Sequence, residues 1–120
     1  MDAPDGGQPK NFLRPCLLLL LKEESAHGYD LLERLTDFGF ARDPGGLYRT
    51  LRALEHERLV RSRWEAAANG RDRRIYELTS AGEDWLDSWA STIEASRRLL
   101  DVYLERYRRV TGKRMAALAR

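Results

Sequence analysis

Cysteine occurs once in these 120 residues, at Cys16, so an internal disulfide is excluded. The thiol stands beside Leu17 to Leu21, where a small apolar side chain suits a helix core better than a redox or metal role. Histidine is nearly as scarce. His27 and His56 fall apart on helical patterns, with no paired nucleophile and base, no metal-ligand cluster and no phosphate-cradling glycine motif. That argues against an enzyme and implies neither cofactor nor metal. No apolar run approaches the ~20 residues that cross a bilayer. The acidic, Gly- and Pro-containing start also lacks the basic segment of a secretion signal, so a cytoplasmic protein is expected. At this length one domain is the simplest organisation, small enough that a long terminal helix would need a second copy to cover its apolar face.

Charge is uneven rather than large. The net value is only +2, but residues 42–74 carry nine Lys and Arg against five Asp and Glu, while residues 75–96 carry none against five. The basic stretch coincides with a structural pattern. Asp43-Pro44 suits a helix start, because Asp accepts from first-turn amides and Pro gives up a donor that had no partner. A helix is predicted from about Pro44 to Arg58. Leu47, Leu51 and Leu54 share one of its faces, while Tyr48, Arg49, Arg52 and Glu55 project from the others.

Two segments with period-two alternation follow, Val60 to Glu65 and Arg74 to Leu78. Ala66 to Arg73, containing Asn69-Gly70, makes a hairpin connection with a basic tip. Helix plus basic hairpin is the pattern of a winged helix-turn-helix, and an arginine-bearing helix beside it makes a phosphate-contacting footprint on duplex DNA.

The rest of the chain fits around that unit. Met1 to Lys10 reads as a mobile tail. Asn11 to Glu24 is a first helix, apolar nearly all round from Cys16 to Leu21. Ser25 to Phe38 is a second, with Tyr29, Leu32 and Leu35 as its buried stripe and Gly39 as its stop. Residues 11–79 thus form the DNA-binding domain. After the wing, Ser80 and Glu83 offer a capping box that opens a helix to about Val110, roughly 45 Å long. Trp85, Trp89, Ile93, Ser96, Leu100, Tyr103 and Tyr107 recur along it at steps of four and three, a seam that packs on another helix. Residues 80–112 are therefore a dimerisation region, and residues 113–120 a basic tail. The fold class is mainly α with a small β-hairpin.

Over about Phe12 to Val110 the chain resembles the PadR family of bacterial transcriptional regulators. The resemblance is carried by His27-Gly28-Tyr29-Asp30-Leu31, Gly46-Leu47-Tyr48-Arg49-Thr50-Leu51, Leu54-Glu55 and Arg74-Ile75-Tyr76-Glu77-Leu78-Thr79-Ser80-Ala81-Gly82. Within it, Asn11-Phe12-Leu13, Phe38-Gly39-Phe40, Tyr48 to Arg52 and Ser62-Arg63-Trp64-Glu65 look most like the branch of polyhydroxybutyrate-responsive repressors. The resemblance implies a homodimer with an N-terminal winged helix, a C-terminal helix that swaps contacts with its partner, and repression relieved by a small molecule. One departure stands out: Arg58 occupies a turn position that commonly holds glycine, so a strained positive φ or an altered turn is expected there.

These readings name candidate residues. Arg49 and Arg52 are placed for base edges or phosphates, because the guanidinium fork matches both. Tyr48, at a family-matched position, donates its hydroxyl to a phosphate or packs as a half-buried ring on the wing. Gly46, with Gly45, lets the helix N-terminus approach the DNA backbone. Arg71, Arg73 and Arg74 reach a minor groove or its phosphates. Trp85 and Trp89 line a slot for a flat or phenolic effector, or else serve as dimer core together with Ile93, Leu100, Tyr103 and Tyr107. Two-fold symmetry would call for a palindromic operator with half-sites ~34 Å apart. The alternative is a winged helix whose basic face meets an acidic protein instead of DNA.

Overall fold

A computed structural model describes residues 11–67 and 69–113. The leucine-rich run near the start forms α1, Leu13–Glu23, with Pro15 in its first turn, where a missing N–H leaves no acceptor unsatisfied. Cys16, Leu17, Leu18, Leu20 and Leu21 are all buried along it. Burial pushes the Cys16 thiol up to about 12, so the sulfur stays protonated and inert within the core.

The second predicted helix divides into three pieces. Ala26–His27 form a short strand, β1; Gly28–Arg34 form α2; and Leu35–Phe38 tighten into a 3₁₀ turn that ends at Gly39 with φ 86°. The buried side chains are Leu31 and Leu32 of α2 and Leu35 of the 3₁₀ turn. Tyr29 is a correction to the expected stripe. Advancing ~100° per residue carries it off the leucine face, and it stands 62% exposed, with the Arg42 guanidinium 5.5 Å from its ring.

Helix α3, Pro44–His56, starts as expected: Asp43 Oδ1 accepts from the Gly46 amide at 3.1 Å. It buries Leu47, Leu51 and Leu54. It stops two residues earlier than predicted because the chain turns into a Schellman end. The Leu59 amide donates to the Leu54 carbonyl at 2.9 Å and the Arg58 amide to the Glu55 carbonyl at 3.0 Å, with Arg58 in the left-handed region at φ 63°.

The hairpin follows as β2, Val60–Glu65, and β3, Arg73–Leu78, paired antiparallel from Val60 opposite Leu78 to Glu65 opposite Arg73. β1 adds to the other edge of β3, giving the order β1-β3-β2. Helix α4 spans Ser80–Thr111. Its cap is Thr79 rather than Ser80: Thr79 Oγ1 accepts from the Gly82 amide at 3.0 Å and donates to the Arg58 and Leu59 carbonyls at 2.7 and 3.0 Å. Glu83 pairs with Lys22 at 3.1 Å instead of closing a capping box.

The chain divides into two compact units, one ending at Leu86 and one starting at Asp87. The first holds a continuous core from α1, α2, α3 and the sheet, with Trp85 and Leu86 packed against it. In the second, Ile93, Leu99, Leu100, Val102, Tyr103 and Val110 are exposed along the helix. Among the described residues no helix is long and apolar enough to cross a membrane. The tails expected at residues 1–10 and beyond Lys113 lie outside the described residues.

Candidate nucleic-acid interface

The leucine face of α3 is sealed into the core, which leaves Tyr48, Arg49 and Arg52 on its exposed sides. The Tyr48 ring is only 39% exposed, because it lies across Gly28 at the start of α2. A Cβ on Gly28 would overlap the Tyr48 hydroxyl and ring, so that glycine is what admits the ring. The ring is thus half-buried, with Gly28 at the start of α2 as a packing partner.

Gly46 works through the helix cap. Its amide is taken up by Asp43, and a Cβ there would overlap the same carboxylate. Arg49 folds back past Gly45, its guanidinium close to the first turn of the helix.

The arginines fall into two groups. Arg74 is fixed: its Nε donates to Ser62 Oγ at 2.8 Å, its guanidinium reaches Glu55 of α3 at 3.6 Å, and it stacks 5.5 Å from the Trp64 ring. Ser62 completes the link by donating to Glu55 at 2.6 Å, which holds the wing against α3. Arg63 is likewise engaged, donating to Glu77 at 2.9 Å across the hairpin, with Arg61 3.6 Å from the same carboxylate. These arginines hold the Glu77 carboxyl below the usual carboxylate range, Arg63 most of all. Arg49, Arg52, Arg71 and Arg73 are all exposed, and their side chains form no ion pair among the described residues. Of the three wing arginines expected at DNA, Arg74 is thus committed within the protein, while Arg71 and Arg73 stand at the open end of the hairpin.

Between α3 and the wing lies Tyr76, 6% exposed. Burial raises its phenol pKa, opposed chiefly by Arg74, with Arg52 also pulling it down. It is a packed wall rather than a contact. On the other side of α3, Arg14 forms a bidentate pair with Glu57 at 2.8 and 2.9 Å and places its guanidinium 5.6 Å from the Trp85 ring. That pair lowers the Glu57 pKa. Sequence reasoning misses this clamp, since Glu57 and Trp85 lie 43 and 71 positions from Arg14, with no local signal to join them. Trp89 falls in the second unit and is half-buried. No cluster of His, Cys, Asp and Glu suited to a metal occurs among the described residues.

A winged helix with this order of elements has known counterparts. The model of the transcriptional regulator PadR-like family matches residues 17–88. The transcriptional regulator YqjI of Escherichia coli (strain K12) is 32% identical over 97 residues, 74% of this chain and 45% of its own length. This chain spans about half the length of the curated relatives it matches. A crystal structure of a conserved protein of unknown function, described as a potential transcriptional factor, shares 30% identity at a TM-score of 0.75, covering 90% of this chain and 99% of that one. Bacillus subtilis PadR, solved in complex with operator DNA, has the same fold at 24% identity and a TM-score of 0.62, over 68% of this chain and 48% of that one. The chain belongs to the PadR-like family of transcriptional regulators.

Proposed function

We propose that this chain is a sequence-specific DNA-binding repressor that works as a homodimer on a palindromic operator and is released by a small-molecule effector. The observation that carries the DNA reading is the division of the arginines. Side chains that build the wing are neutralised within it, whereas Arg49, Arg52, Arg71 and Arg73 keep their charge for a partner. With α3 in the major groove, Arg52 addresses a base edge and Arg49 a phosphate. Arg71 and Arg73 meet the phosphates beside an adjacent minor groove.

The dimer reading is supported by the exposed Ile93, Leu100 and Tyr103 and by Tyr107 beside them, a stripe that one helix leaves in water. The effector reading assigns Trp85 and Trp89 to a flat, phenolic class of ligand. At Trp85 such a ligand would exchange places with the Arg14 guanidinium, which ties that ring to the end of the recognition helix. The finer likeness, to the polyhydroxybutyrate-responsive branch, rests on the wording of the motifs and names no ligand for this chain.

The test is fluorescence anisotropy of the protein on the DNA upstream of its own gene and on a scrambled duplex, across a salt series. Preference for the native sequence, with log affinity falling linearly in log salt, is expected. Arg52→Ala should cost about 1–3 kcal/mol and relax sequence preference, whereas Arg73→Ala should weaken both duplexes alike and lower the salt slope by ~1. Equal affinity of Arg52→Ala and wild type would remove α3 from the interface.

A further inference from the structure

Trp64 is a large apolar ring left in water between the charged Arg63 and Glu65, 65% exposed. It lies on the same face of β2 as Val60 and Ser62, opposite Arg74 of β3. That face is turned toward α3, because Ser62 and Arg74 both reach Glu55 there. Arg74 stacks on the indole while anchored to Ser62 and Glu55, so one side of the ring is backed by a fixed cation. At the hairpin end beyond it stand Arg71 and Arg73, whose side chains form no ion pair among the described residues.

We propose that the open side of Trp64 packs on a deoxyribose of the DNA strand that runs along the exposed edge of the wing beside α3. This rests on the DNA reading above and adds a contact that reading does not use. The chemistry fits at both ends. A sugar presents apolar C–H groups to the electron-rich indole face, while the exposed Arg52 of α3 and Arg71 at the hairpin tip are available to the phosphates of the same strand. An acidic protein would satisfy the arginines but offers no flat, C–H-rich surface spaced between its charges. Because every nucleotide carries the same sugar, the contact is independent of sequence and sets how deeply the wing seats.

The experiment is ¹⁹F NMR of the full chain labelled with 5-fluorotryptophan, with Trp64→Phe assigning its resonance, titrated with a short duplex of arbitrary sequence at low salt. The Trp64 resonance should shift saturably, and Trp64→Ala should bind that duplex about tenfold more weakly with an unchanged salt slope, since no charge is removed. Trp64→Phe should retain most of the affinity. A Trp64→Ala protein that binds as wild type does, or whose salt slope falls with its affinity, overturns the contact and leaves the DNA reading standing. Failure of the wild type to bind any duplex removes both, and a Trp64 shift with polyglutamate but not with DNA transfers the surface to an acidic partner.

Discussion

The same residue types are used in opposite ways on the two sides of Leu86. Before it, Leu17, Leu18, Leu31, Leu51 and Leu54 are wholly buried; after it, Leu100 is 61% and Val110 82% exposed. Three helices and a sheet can close around their own leucines, but a single helix has no second wall. Its apolar stripe is stable in water only at the expense of exposed area, and a facing helix is what would cover it. The first unit therefore buries its leucines within itself, while the second leaves an apolar stripe exposed.

Leucine truncation should separate the two units by the largest margin. Leu51→Ala should cost ~2–5 kcal/mol, because it opens a cavity in a close-packed core. Leu100→Ala should change urea unfolding of the dilute chain by no more than ~0.5 kcal/mol. Equal losses would mean that the exposed stripe is covered even in the dilute chain. Leu100→Glu sharpens the same point in sedimentation, where self-association should weaken while the first unit stays folded.

Gly82 tests the junction at the start of α4. A Cβ there would overlap the Leu59 carbonyl and the Leu78 side chain, so Gly82→Ala should destabilise by ~1–3 kcal/mol in thermal unfolding. Arg58 lies at the other end of that junction, with its φ of 63° and its carbonyl bonded to Thr79. Arg58→Gly should stabilise by about 1 kcal/mol, because the left-handed conformation no longer strains a side chain. A loss of stability instead would show that the arginine side chain contributes more than its backbone costs.

The smallest effect is acid-dependent. Glu57 has a folded pKa below its ordinary 4.5, chiefly through the hydrogen bonds from Arg14. Its contribution is present above that ordinary value and disappears as pH falls through the lower folded value. The pair is partly exposed and screened, so less than ~1 kcal/mol is at stake. The stability difference between wild type and Arg14→Gln should therefore be visible at neutral pH and vanish below the folded Glu57 pKa. A difference that persists unchanged into acid would assign the effect to Arg14 over Trp85 rather than to the carboxylate.

How much was legible depended on range along the chain. The α3 start at Asp43 and Pro44, its leucine face, the hairpin and the odd backbone at Arg58 all rest on residues within a few positions of each other, and all appear as expected. β1 escaped notice because two residues make no alternation; it is a strand only because β3 lies beside it. Tyr29 stands three residues before Leu32, but its angular distance from Leu31 and Leu35 carries it off the leucine face. In the interface, the residue types were legible but not their freedom. Arg74 looked equivalent to Arg71 and Arg73 until the sheet brought Ser62, Glu55 and Trp64 around it.

The order of the main helices and the hairpin, the leucine core and the basic character of α3 and the wing follow from the amino-acid sequence alone, because periodicity, caps and charge are properties of neighbours. Packing in three dimensions is what separates the arginines that hold the fold from those without an ion pair among the described residues, rests Tyr48 on Gly28, and joins Arg14 to Glu57 and Trp85. Those contacts span separate elements, and each depends on a packing geometry that no single segment encodes.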